Sequence, residues 1–344
     1  MAKGIPVIGR APDKKAKIIN VDELGNLKVS QLESKLDGIE NKLVALEQKL
    51  TDGSQKVTLS GTFTEDILSK MDLSNSLLAL ISHGQTKAVL NSWQQVQHIV
   101  RAGLHHQVFQ LGDQFVTEFN GAPSVWVVIG IDHDKPTDPR FTHSLTIQSH
   151  DCLLAAQFDA PEPDNPNSSR QQFGNNRYLH SAIRQWLNSA ETTFTWQPQH
   201  QYDVAPTGAP YDGPGFLKLL DPDLVAVLGA VDKQVARNTV TDGGGQDLFS
   251  DKVFLLSMVE VYGGGEGTTS GEAPYPYYES LAPSPTTNAL DGRIKYLGSS
   301  ARYWWFRSPH PAYPDYLRGV YPNGSVSNLF ASNPFGVAPA CCIV

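Results

Sequence analysis

The residues able to do chemistry fall into two groups. The first suggests little catalysis. Asp132, His133, Asp134 and Asp138 are side chains that could hold a metal, yet they follow a strand-like run, where a solvated loop accounts for them. His105-His106 reads as a polar turn. Gly243-Gly244-Gly245-Gln246 has the glycines of a phosphate loop without its lysine or following helix. No Gly-x-Ser-x-Gly elbow and no His-Glu-x-x-His pair occurs, and the sequence alone places no pair of catalytic carboxylates. The expectation is a non-enzyme without metal or cofactor.

The second group suggests recognition. Tyr303-Trp304-Trp305-Phe306-Arg307-Ser308-Pro309 is a dense aromatic run; as a half-buried strand it turns Trp304 and Phe306 to one side, Tyr303 and Trp305 to the other. After it come His310, Tyr313, Asp315, Tyr316, Arg318, Tyr321, Asn323, Ser325, Ser327, Asn328, Phe330, Asn333 and Phe335. Tyrosine, serine and asparagine are favoured in binding loops, because they combine aromatic area at low entropy cost with adaptable hydrogen bonds. This stretch is the candidate ligand-binding region. An apolar strand, Gly336 to Val344, closes it.

Position must come from the elements around these residues. A helix is expected from Ser92 through Trp93, Val96, Ile99 and Val100 to a stop at Gly103. Short strands are expected at Val108–Leu111, Gln114–Phe119 and Val125–Ile131, a helix at Ser181–Leu187 and a buried strand at Val253–Val261. Residues 159–177 and 198–216, and Ala273 to Pro285, read as loops rich in Pro, Gly, Asn, Ser or Tyr. The pattern is α+β with long loops.

Upstream, Val29, Leu32, Leu36, Ile39, Leu43, Leu46 and Leu50 are spaced alternately by three and four residues, the seam of a heptad repeat. Glu33, Glu40 and Glu47 flank one side, and Lys35, Lys42 and Lys49 the other. In a parallel bundle these flanks bring lysine to glutamate, so a parallel homotrimer is expected. The domain reading is residues 1–28 as a basic docking arm with a small hairpin, 29–51 as coiled coil, 52–90 as connector or collar, and 91–344 as head.

Composition narrows the function further. The net charge of −8 argues against nucleic acid. The three cysteines, Cys152, Cys341 and Cys342, provide neither a disulfide framework nor zinc spacing, which suits folding in a reducing cytoplasm. No run of eighteen apolar residues and no apolar signal core is present, so neither membrane insertion nor Sec export is expected.

The blocks Ser181–Asn188, Asp251–Ser257, Tyr303–Pro309 and Gly336–Ile343, in this order, resemble a domain of bacterial and phage surface proteins also found in targets of diversity-generating retroelements. The resemblance covers residues 91–344. It implies a C-type-lectin-like fold whose variable ligand-binding region corresponds, by placement between flanking blocks, to the residues between Ser308 and Gly336. Formylglycine-generating enzymes share that fold but need a cysteine pair or copper site in the head. Cys341 and Cys342 lie on a strand, where neighbours face opposite ways. The stalk looks like those of tailed-phage fibre and decoration proteins.

Together these readings suggest a phage virion fibre, spike or decoration protein, made in the host cytoplasm and released by lysis. Its arm would dock on virion proteins and its head would bind a host-surface protein or glycan. The alternative is a purely structural virion protein that caps or cements neighbouring subunits.

Overall fold

A computed structural model describes residues 7–8, 92–264, 272–281 and 290–344. All of them belong to one compact unit, which is α+β. The heptad seam from Val29 to Leu50, the hairpin before it and the connector after it lie outside the described residues.

The first helix, α1 (Trp93–Arg101), forms where its apolar spacing requires. Ser92 Oγ accepts from Gln95 N at 3.3 Å, and Trp93, Val96, Ile99 and Val100 are buried on one face. Gly103, at φ +70°, ends the turn after it. The expected strand at 108–111 does not form: α2 (His105–Val108) ends at Val108, and residues 109–111 are in neither helix nor strand. Strands β2 (Gln114–Phe119) and β3 (Ala122–Ile131) pair through Asn120-Gly121, both at positive φ, as a two-residue hairpin turn needs. Val7–Ile8, within the arm expected to dock elsewhere, forms β1 and pairs antiparallel with β2.

The main sheet is ordered β1-β2-β3-β4-β16-β6, with β4 at Leu145–Ser149, β6 at Leu228–Gly229 and β16 at Ala340–Ile343; β9 (Val253–Phe254) also pairs with β16. Every residue of β4 and β16 is buried, which is why both read as nearly unbroken apolar or uncharged runs. The start and end of this unit meet here: Gln97 Nε2 and Arg101 Nε donate to Val344 O at 2.7 and 3.1 Å.

Between β4 and β6 lie β5 (Leu154–Ala156), α3 (Ser168–Phe173), α4 (Ala182–Leu187), α5 (Phe216–Leu219) and α6 (Pro222–Val227). Ser181 caps α4, as expected. Strands β7 (Val231–Ala236) and β8 (Gln246–Asp251) then form a separate hairpin around Gly243-Gly244-Gly245, all at positive φ. The strand expected to reach Val261 stops at Phe254. Ser257 and Glu260 make a reciprocal capping box that starts α7 (Met258–Tyr262), so local hydrogen bonding outweighs the β-prone composition. The Tyr- and Pro-rich stretch is no simple loop either: α8 (Pro276–Ser280) begins with proline, and Tyr275 and Tyr278 are fully buried.

The second sheet runs β14-β13-β12-β15-β5, with β12 at Trp304–Pro309, β13 at Tyr316–Val320, β14 at Val326–Phe330 and β15 at Phe335–Val337. A small pair, β10 (Lys295–Leu297) and β11 (Ser300–Arg302), precedes it. The alternation expected along the aromatic run is present, but the strand is covered on both faces. Trp304 and Phe306 enter the main core with Ile129, Phe254, Tyr275 and Ala340. Trp305 faces the other way, packing on Phe158 and donating to Ala156 O at 2.8 Å. Cys341 and Cys342 are free and buried in β16.

Gly319 of β13 lies opposite Trp305 of β12. A Cβ there would lie 2.4 Å from Leu329 Cδ1 and 2.7 Å from the Trp304 carbonyl oxygen. Because one obstacle is backbone, Gly319→Ala is expected to cost about 1–3 kcal/mol. Urea denaturation monitored by tryptophan fluorescence measures this; an unchanged midpoint would show that the two strands have room to separate.

Candidate functional site

The region expected to be a binding loop is a hairpin, β13 and β14, in full register from Tyr316 opposite Phe330 to Val320 opposite Val326. Its turn is self-sufficient: Asn323 Oδ1 accepts from Ser325 N and Oγ, and Gly324 supplies a positive φ. Being built into a sheet changes which side chains reach solvent. Tyr313 (53% exposed), Tyr321 (39%), Asn323, Asn328 and Asn333 are exposed, while Tyr316, Ser325, Phe330 and Phe335 are half-buried.

His310, Asp315, Arg318 and Ser327, also expected as contact residues, are buried. His310 Nδ1 accepts from Ala312 N, and its ring packs edge-on against Tyr313. Arg318 Nη1 donates to Asn328 Oδ1 at 2.6 Å across the strand pair. Burial raises the Asp315 carboxyl above its ordinary range.

The exposed and half-buried aromatics form two groups at opposite ends of the hairpin. At one end Tyr313 meets Tyr316, Tyr316 stacks on Phe330 at 4.2 Å, and Phe330 stacks on Phe173 at 3.9 Å. At the other end Tyr303 bridges Tyr321 and Phe335. Sequence reading missed Phe173, which arrives from α3, far away in the chain. It also missed Asn176, which positions the first group. The buried Asn176 amide donates to the carbonyls of His310 (3.3 Å), Tyr313 (2.8 Å) and Tyr316 (2.8 Å), and its Oδ1 accepts from Asn238.

A cleft of about 480 Å³ opens beside β7 and β8, with Lys233, Glu260, Glu272 and Arg307 in its wall. Its ions are matched to one another. Lys233 Nζ lies 2.5 Å from Asp134 Oδ1 and 2.7 Å from Glu260 Oε1; Arg307 binds both Glu260 oxygens and reaches Glu272 at 2.8 Å. Tyr275 Oη and Thr146 Oγ1 donate to Asp134 Oδ2. Asp134, expected in a solvated loop, is therefore a buried partner in this network.

Two further clusters have metal-ligand chemistry. His105, Asp132 and His143 bring one donor atom each within 4.8 Å of the others, and so do Asp159, Glu162 and His200. The second set is partly engaged already. Asp159 Oδ1 accepts from Ala182 N, Asn165 donates to Glu162 Oε2, and Asn175 Nδ2 sits 2.9 Å from His200 Nε2. Burial and the nearby Asp203 push Asp159 well above the ordinary carboxylate range, which favours its neutral form. The first set corrects the polar-turn reading of His105-His106, since His105 is completely buried.

Taken together, the described residues form an α+β unit of two main sheets, with an aromatic hairpin at its surface and an ionic network inside. A family model described as "Domain of unknown function (DUF6273)" matches residues 146–344, more than half of the chain, and the chain belongs to that family. No curated protein and no solved structure matches it. The hairpin and both aromatic groups lie within the matched part, whereas His105, Asp132 and His143 precede it. Among the described residues no helix is long and apolar enough to cross a membrane.

Because the two N–H groups of the Asn176 amide are shared among three carbonyls, of which Tyr316 O also accepts from His310 N, Asn176→Ala removes this link, and a loss of about 1–3 kcal/mol is expected. Hydrogen exchange should rise selectively over residues 310–316. If exchange rose evenly over the head, or not at all, Asn176 would not be the anchor of this segment.

Proposed function

We propose that the protein is a phage virion fibre, spike or decoration protein whose head adheres to a host-surface protein or glycan. The head is read as a C-type-lectin-like domain, and the stalk at 29–51 as a parallel coiled coil joining three chains, with the basic arm docking on the particle. Supporting the fold reading, the last strand of the unit is built into the main sheet. The strand at 340–343 lies next to the one at 145–149, and the excursion between them carries the second sheet. The order of the four sequence blocks points the same way.

The observation that carries the adhesion reading is the surface hairpin. It presents Tyr313 and Tyr321 to solvent on a rigid two-stranded support, with exposed asparagines between and beyond them. Rigid aromatic anchors beside adaptable amides lower the ordering cost of binding. Three heads on one stalk would add avidity to a weak single site.

The test is attachment of purified full-length protein to bacterial cells and to an array of bacterial surface glycans. Replacing Tyr313 and Tyr321 together with alanine should weaken attachment about tenfold to a hundredfold, from a typical 1–3 kcal/mol at anchor residues. The melting temperature and sedimentation should stay unchanged. Equal attachment by the variant would remove this face from the reading. A wild-type protein that binds no cell or glycan, with the hairpin covered by a particle subunit, would establish the purely structural role instead.

A further inference from the structure

We infer that His105, Asp132 and His143 form a binding site for a divalent transition-metal ion of the zinc type, with a fourth position open to water. Three separate segments bring the ligands together. His105 is the first residue of α2, Asp132 follows β3, and His143 lies in the loop before β4. Their donors converge on one carboxylate: His105 Nε2 is 2.8 Å from Asp132 Oδ1, and His143 Nδ1 is 3.1 Å from Oδ2. Zinc bonds of about 2.0–2.2 Å would set tetrahedral donors about 3.3 Å apart, so a shift of a few tenths of an ångström admits the ion.

The immediate surroundings support this arrangement. Asp132 takes φ +53°, a left-handed conformation that an Asp side chain tolerates, and its Oδ1 accepts from Ser144 N at 3.0 Å. His106 Nε2 bonds Oδ2 at 2.8 Å from the exposed side and orients the carboxylate. Gly103 has no Cβ, and one there would stand 3.0 Å from His143 Nε2. Gly103, two residues before the short helix, thus leaves room for the ring that completes the set.

A network of hydrogen bonds alone does not account for His105. The ring is fully buried, and although Nε2 is close to Asp132 Oδ1, the oxygen lies off the line a hydrogen bond requires, so neither ring nitrogen makes one. An orphaned buried polar atom costs about 1–3 kcal/mol. A metal ion takes the in-plane lone pair of Nε2 and gives that nitrogen the partner it lacks. Two imidazoles with one carboxylate suit zinc, cobalt, nickel or copper; calcium and magnesium prefer oxygen.

The experiment uses full-length protein stripped with chelator and titrated with Zn²⁺, Co²⁺ and Ca²⁺. One Zn²⁺ per chain should bind and raise the melting temperature, Co²⁺ should give the visible absorption of a low-coordinate nitrogen–oxygen site, and Ca²⁺ should do neither. His143→Ala, at a partly exposed position, and Asp132→Asn should each weaken Zn²⁺ binding at least tenfold. X-ray absorption of the zinc-loaded wild-type protein should show two imidazoles, a reading that needs no variant to fold. Failure to bind zinc at one per chain, equal affinity in both folded variants, or a zinc spectrum without imidazole would each overturn the site.

Discussion

The buried ionic network is the constraint on which the rest of the head depends. Asp134 follows β3, Lys233 lies on β7, Glu260 on α7 and Arg307 on β12, yet their charged ends meet inside the protein. Burial alone would raise the carboxyl of Glu260; Arg307 and Lys233 outweigh it and keep it ionised well below the ordinary range. Burial would likewise lower Lys233, and Asp134 and Glu260 reverse that. Each charge is tolerable only when the others are in place, since a buried ion without its partner costs several kcal/mol. The network therefore fixes the relative positions of the main sheet, the β7–β8 hairpin and the second sheet more strictly than apolar packing would.

That fixed frame determines what the hairpin can do. Arg307 and Trp305 lie on the same strand, and β13 is hydrogen-bonded beside it, so the surface aromatics rest on a strand anchored on both faces. Asn176 holds the approach to β13 by its own backbone carbonyls. Tyr313 and Tyr321 are exposed on this frame, while Asn328, also exposed, accepts from Arg318 and helps to hold the strand pair. Stability and surface chemistry are thereby assigned to different residues of one short stretch, and a site on a sheet keeps its geometry better than one on a free loop.

Much of the scaffold was legible in the sequence. The cap at Ser92, the stop at Gly103 and the helix opened by Ser181 follow local rules, and the structure contains them, whereas the single strand expected from Gly336 to Val344 is broken at Ala338-Pro339 into β15 and β16, which belong to different sheets. The misreadings share one physical cause: contacts distant in sequence decide burial. Asp134 and His105 looked like solvated polar residues because Lys233 and Asp132 lie far from them along the chain. Residues 310–335 looked like a binding loop because they are rich in Tyr, Ser and Asn, a composition that a surface hairpin carries as well. The Ser257-x-x-Glu260 capping box was readable and would have ended the preceding strand at the right place.

Strand β16 has a consequence for how the polypeptide emerges from the ribosome. It is hydrogen-bonded to β4 on one side and to β6 and β9 on the other, partners that are all synthesised before it. Until residues 340–343 leave the exit tunnel, those three strands have an unfilled slot between them, and the core beneath stays open to water. Pairings of such long sequence separation form slowly. Translation stopped short of this strand would therefore release a nascent head without its central pairing, which the cell's proteases would meet as an unfolded chain.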